Sequence, residues 1–395
     1  MNRLNSRIAA GVLAAFLAAG TLTGCGKLDG TKTVATVDGE TVTLGLASYM
    51  IRDQQAQTES YYQMLAQSYG IDASGSLWDE KGDDGKTYGE SAKDDVMDNI
   101  KSLYAMKAHA ADYDVTISEE EQAKIQEAAK TFMEENDAAA LEELAVSESD
   151  IVTYLELMTY RQKMHDPMVA DVDQEVSDEE ANQTRITMAK VSTQGTEKDD
   201  DGNTIDLTDE EKSDKKWLAE QLLEKILASD NTEVDISALA GEISEDITVT
   251  SPAFTTAGGE DQVLDQAVRD AALKLEESQV APEVIEGEDG YYVIRLDKML
   301  DEDATENKRA SIISEREQEA YNNLLEEWEE AADMKIEESV WKKLKITDSK
   351  SFIYKTEEQT DTSDNSASEE DASEDAAGAD DTDGADATGA DDTEE

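Results

Sequence analysis

The sequence predicts an α+β protein in which helical segments lie on both sides of a stretch where strands and helices alternate. Three observations carry that prediction. Proline is scarce, with three in 395 residues. Helix starts are signalled by Ser or Thr three residues ahead of Glu or Asp, at Ser118/Glu121, Ser147/Asp150, Ser177/Glu180 and Thr208/Glu211, the pattern of a reciprocally capped first turn. Between Arg185 and Leu296 the apolar period changes repeatedly, giving the order β-α-α-β-α-β-β.

At the N-terminus, Arg3 and Arg7 precede an apolar run from Ile8 to Ala19, and Leu22-Thr23-Gly24-Cys25 closes it with small residues. This is the build of an export signal, and the run is too short to span a bilayer comfortably. The tetrapeptide resembles the lipobox of bacterial lipoproteins. That resemblance implies a signal peptide over residues 1–24, cleavage before Cys25, lipid on the Cys25 thiol, and residues 25–32 as a tether. Cys25 is the one cysteine of the chain, so no intramolecular disulfide is possible.

Next, Val34-Ala35-Thr36-Val37 and Glu40-Thr41-Val42 flank Asp38-Gly39 as a hairpin. A helix is predicted from Leu44 to Tyr69, stopped by Gly70. Residues 71–90 read as a loop, and Asp83-Asp84-Gly85 lacks the spacing of a calcium loop. A second helix is expected after Ser91, with Val96, Ile100, Leu103 and Tyr104 on one face. Further helices start at Ser118 and at Ser147. The latter carries Ile151, Tyr154, Leu155 and Met158 on one side and is expected to end at Pro167. Such one-sided helices must pack on each other to hide their stripes.

In the mixed stretch, Ile186–Val191 reads as a strand. Thr208 opens a helix with Trp217, Leu218, Gln221 and Leu222 on one side, and Ile236–Ile243 is a short helix. Ile247–Thr255 reads as one strand, Gly258-Gly259 as a turn, and Val263–Leu275 as a helix. Two strands at 283–286 and 291–296 close the stretch. From about Ala304 helix resumes, with Tyr321, Leu324, Leu325 and Trp328 on one face, and a shorter helix lies near Val340–Leu344. Residues 356–395 hold seventeen Asp and Glu, no Lys or Arg, and no large apolar residue. That segment is expected to be a disordered, solvating polyanion.

The net charge is −61, becoming −63 if Arg3 and Arg7 are removed with the signal. Nucleic acid and anionic lipid surfaces would repel such a chain, so neither is expected as a partner. His109 and His165 are the two histidines, and neither has a Cys or His at ligand spacing, so no metal is expected. Phosphate-binding loops and Ser-His-Asp sets are missing, and no cofactor is expected.

Several segments resemble extracytoplasmic foldases of the PrsA type and SurA-like chaperones, whose inserted unit has the parvulin (PpiC-type) fold. They are Val34–Glu40, Asp94–Glu121, Ile243-Ser244-Glu245-Asp246, Ala271–Leu275 and Gly290–Ile294. The resemblance implies a helical chaperone domain built from residues 33–183 and 301–355, with a parvulin-like domain inserted at 184–300. It also implies a peptide-binding pocket at Phe254, Leu264, Val268 and Tyr292. Active parvulins place histidines on the first and last strands, and here those positions are Met188 and Tyr292. Both read as core-facing strand residues, and Phe254 reads as core or pocket. Accelerating prolyl rotation requires a site that favours the twisted amide, so efficient isomerisation is not expected.

The resemblance implies a lipid-anchored chaperone that holds unfolded, newly exported polypeptides by apolar contact. Two other readings stay open at this point: an isomerase using other residues, and an acidic surface lipoprotein that scaffolds a complex or captures a ligand.

Overall fold

The computed structural model describes residues 27–70, 76–196, 205, 207–229, 234–256 and 264–352, with the backbone alone of 16–19 and 353–354. Cys25, Gly258-Gly259 and the segment 356–395 lie outside the described residues.

Strands β2 (Thr33–Val37) and β3 (Glu40–Thr43) pair antiparallel around Asp38 and Gly39. Both turn residues have positive φ, 49° and 84°, the primed-turn geometry that matches strand twist and that glycine adopts freely. A preceding strand, β1 (Phe16–Ala19), falls inside the apolar run read as an export signal. Helix α1 (Leu44–Tyr69) starts at Thr43, whose Oγ1 accepts from Leu46 N and donates to Asp150, and it ends at Gly70 as expected. Its first turns are buried on all sides, from Leu44 to Arg52.

Helix α2 (Tyr88–His109) begins earlier than after Ser91. Thr87 and Glu90 form a complete capping box there, hidden in sequence by the polar residues around it. A 3-10 turn follows (Ala110–Tyr113), then α3 (Glu119–Glu135), a short α4 (Ala138–Leu144) that periodicity does not reveal, and α5 (Glu148–Val169). The capping pairs at Ser118 and Ser147 form as expected. Pro167 does not end α5, which continues two residues further. A proline in a last turn deletes one intrahelical hydrogen bond and leaves the turn otherwise intact.

The mixed unit starts with α6 (Asp178–Ala181) and the long strand β4 (Gln183–Ser192). Helices α7 (Asp209–Leu227) and α8 (Ile236–Gly241) follow, then β5 (Ile247–Thr250), β6 (Ala253–Thr255), α9 (Gln266–Ala272), β7 (Ile285–Glu286) and β8 (Gly290–Lys298). The antiparallel sheet runs β5-β4-β8-β7, with β6 also on β4. The expected single strand 247–255 is therefore two, separated at Ser251-Pro252, where proline has no N–H to give a ladder. Alternation places Ala189, Val191, Tyr291 and Val293 under α7 and α8, while Ile186, Met188, Tyr292, Ile294 and Leu296 face α9. The buried face of α7 is Ala219, Leu222, Leu223 and Ile226, and Trp217 is 56% exposed. At about 100° per residue the centre of that face lies half a turn from Trp217, so the tryptophan does not share it.

Helix α10 (Glu302–Ala331) has 30 residues and is about 45 Å long. It crosses α2 and α5, burying Trp328 against Met106, Met164 and Met168. Strand β9 (Met334–Ile336) then adds to the free edge of β2, helix α11 (Glu338–Trp341) follows, and β10 (Ser351–Tyr354) lies along α1 and pairs antiparallel with β1. Both β9 and β10 are absent from the sequence expectation. The second helical segment thus returns to the first. At the junction with the mixed unit, Asp301 is 2% exposed and accepts from Arg185 Nε, while Asp301 N donates to Gln183 O at 2.8 Å and Gln183 N to Thr305 Oγ1 at 3.0 Å.

Candidate functional site

Phe254, Leu264, Val268 and Tyr292 do come together, in the cluster between the sheet and α9, with Met188 packed at its margin. They are buried there: Phe254 is 1% exposed, Val268 0% and Tyr292 3%. Met188 faces Ile294 across the ladder, and Tyr292 faces Lys190, so Met188 and Tyr292 are diagonal neighbours on one face.

The polar groups at this cluster are ones the sequence does not single out. Tyr292 Oη donates to Asp289, which also takes Lys190 Nζ, and Lys190 lies 5.7 Å from the centre of the Tyr292 ring. Burial, reinforced by the Asp289 carboxylate, pushes the phenol upward and keeps it protonated. Burial alone would raise Asp289, but hydrogen bonds from Lys190 and Tyr292 outweigh it and hold the carboxyl below its usual range. The backbone is tight here as well. A Cβ on Gly287 would lie 2.4 Å from Asp265 Oδ2 and 2.7 Å from the Tyr292 ring, so only glycine fits. Asp265 is committed to Ala267 N at 2.8 Å and Glu288 N at 2.6 Å. The tyrosine hydroxyl is thus spent on a neighbouring side chain.

A second surface lies where α1 outruns its packing. Glu59 gathers β10 onto the helix: it accepts from Trp78 Nε1 at 2.8 Å, Gln55 Nε2 at 2.6 Å, Phe352 N at 3.1 Å and the Ser351 hydroxyl. Arg52, 2% exposed, sits 4.7 Å from the Phe352 ring centre and donates to Gln55 Oε1 and Lys345 O. Its burial lowers the guanidinium to about 10 against the pull of Glu143 and Glu59. Beyond Glu59 the helix leaves large side chains in solvent: Tyr61, Tyr62, Met64 and Tyr69 are 55, 48, 53 and 74% exposed. Periodicity marks such residues as apolar and cannot say that nothing covers them.

A third feature is an open groove of about 690 Å³ on the mixed unit, lined by Lys216, Glu220, Leu223, Glu224, Leu227, Ala228, Glu283 and Val284. Among the described residues no three His, Cys, Asp or Glu are grouped to hold a metal ion, and no helix is long and apolar enough to cross a membrane.

Comparison with known proteins gives matches among solved structures only. No family model and no curated protein matches. The foldase protein PrsA of Lactococcus lactis is 13% identical, with 78% of this chain and 96% of that one covered and a TM-score of 0.32. The peptidylprolyl isomerase PrsA of Bacillus cereus is 21% identical, covering 67% and 95% with a TM-score of 0.29. A SurA-like chaperone of Campylobacter jejuni is 9% identical, covering 77% and 98% with a TM-score of 0.25.

Proposed function

We propose that this chain is a chaperone for unfolded, newly exported polypeptides, tethered to the outer face of a bacterial cell membrane by lipid on Cys25. On this reading residues 33–183 and 301–355 form the chaperone unit, 184–300 a parvulin-like unit without efficient isomerase chemistry, and 356–395 a solvating tail. The observation that carries it is the outer half of α1, where four large apolar side chains stand in solvent within nine residues. Soluble proteins seldom leave such a patch uncovered unless it binds something. Support for the missing chemistry comes from Met188 and Tyr292, which pack with the core beside α9. A buried phenol bonded to Asp289 offers a substrate proline no free polar pair.

The chain without its first 24 residues is expected to slow aggregation of an unfolded client at near-equimolar ratio, and to leave prolyl isomerisation of a proline tetrapeptide at its uncatalysed rate. A rate matching an active parvulin selects the isomerase reading. Failure in both assays selects the acidic scaffold. Cys25→Ala is expected to release the protein from membranes or leave it unprocessed, and an unmodified native chain beginning elsewhere by intact mass removes the anchor.

A further inference from the structure

We infer that the edge of β10 that β1 covers becomes a strand-addition site once β1 is removed, and takes an extended apolar segment flanked by basic residues from an unfolded chain. This rests on the chaperone reading and gives it a binding geometry. Three observations lead there. First, β10 belongs to a two-stranded sheet whose other member is β1, paired antiparallel with Leu17 opposite Ile353 and Ala19 opposite Ser351. Second, Phe352 N donates to Glu59, so that amide points toward α1. By the alternation of a strand, the backbone groups of Ser351 and Ile353 point to the opposite edge. Third, β1 (Phe16–Ala19) lies within residues 1–24, which the proposed cleavage before Cys25 would take away. Removal of β1 leaves that edge without its partner on a strand still fastened to α1.

The occupant's chemistry follows from what fills the edge in the uncleaved chain and from charge. Phe16-Leu17-Ala18-Ala19 is apolar and small, and Arg3 and Arg7 stand before the run that contains it. The chain carries −61 overall, and its acidic segment 356–395 begins two residues beyond β10. Main-chain pairing is blind to side-chain identity, which suits a site for many unfolded sequences.

The test uses the full chain with a protease site placed within residues 20–26, before and after cutting. The probe is a fluorescent peptide of residues 14–20 with two lysines at each end. Binding is expected after cutting and not before. N-methylation of the probe at its Leu17 and Ala19 amides, which face the strand, is expected to weaken binding at least about tenfold, as loss of two hydrogen bonds implies. N-methylation at the Phe16 and Ala18 amides is expected to change it less than about twofold. Equal binding before and after cutting, equal loss from both methylation patterns, no binding, or dimerisation of the cut chain in place of binding each overturn the inference. Client aggregation is followed on the same sample: protection without probe binding removes the strand site alone, and loss of protection removes the chaperone reading.

Discussion

His109 stacks flat on Trp328, with ring centres 4.5 Å apart and planes 10° from parallel. The other histidine, His165, lies against Tyr321 of the same helix at 5.5 Å. Both histidines of the chain therefore hold α10 onto α2 and α5, and each has an aspartate at its Nδ1, Asp112 at 3.0 Å and Asp166 at 3.1 Å. Both rings pack against α10.

Truncation should separate the two rings. Trp328→Ala empties a buried site and is expected to cost about 3–5 kcal/mol in urea unfolding. His109→Ala removes one stacked face and is expected to cost about 0.5–1.5 kcal/mol. Equal costs would mean that the stack, not the burial of Trp328, fastens α10.

Asp348 gives a pH signature. Its carboxylate accepts from Ser76 Oγ at 2.6 Å, Leu77 N and Trp78 N at 2.8 Å, and Asp79 N at 3.0 Å. Burial opposes ionisation, yet these donors outweigh it and bring the group from 3.8 to about 2. Because the folded value is the lower one, its contribution is complete above 3.8 and is lost as pH falls through about 2. Asp348→Asn should be less stable than the parent at pH 6, and the gap should narrow toward pH 2. A gap constant over that range would show that the four donors do not favour the charged form.

Placing histidines at positions 188 and 292 should not create an enzyme. Met188→His with Tyr292→His sets two imidazoles at the packed cluster of Phe254 and Val268, at a cost of about 2–4 kcal/mol for burying polar rings. The double variant is expected to melt earlier and to show no isomerase rate above the parent. A large gain in rate with unchanged melting would mean that the cluster opens to substrate.

On α7 the two faces should respond unequally. Leu222→Ala, at a position 0% exposed, is expected to cost about 2–5 kcal/mol, and Trp217→Ala less than about 0.5 kcal/mol by thermal melting.

That contrast shows where the sequence is legible. Capping pairs such as Ser118/Glu121 and the Asp38-Gly39 turn are local chemistry, and the structure forms each where its residues stand. Trp217 is apolar yet exposed, because the three-residue and four-residue steps through Ala219, Leu222, Leu223 and Ile226, not apolar character alone, define the buried face. Strands β9 and β10 fail for another reason: three or four residues are placed as strands by partners about 300 residues earlier, β2 for β9 and β1 together with Glu59 of α1 for β10. The candidate surface on α1 is invisible to periodicity for the same cause, since exposure is decided by what does not arrive. Phe254, Leu264, Val268 and Tyr292 lie up to 38 residues apart with no shared local period, and the structure packs them into one cluster.

The pairing of β9 with β2 has a consequence for the order of events in time. Val37 waits for Met334 before its sheet is complete, while the unit between β4 and β8 finds all its strand partners within residues 183–298. A chain made or delivered N-terminus first can finish that insert while its helical host is still open, because contacts near in sequence close sooner than distant ones. A chain interrupted before residue 334 therefore carries a folded insert on an unfinished host, with the apolar edge of Val34 and Ala35 waiting for a strand that never comes.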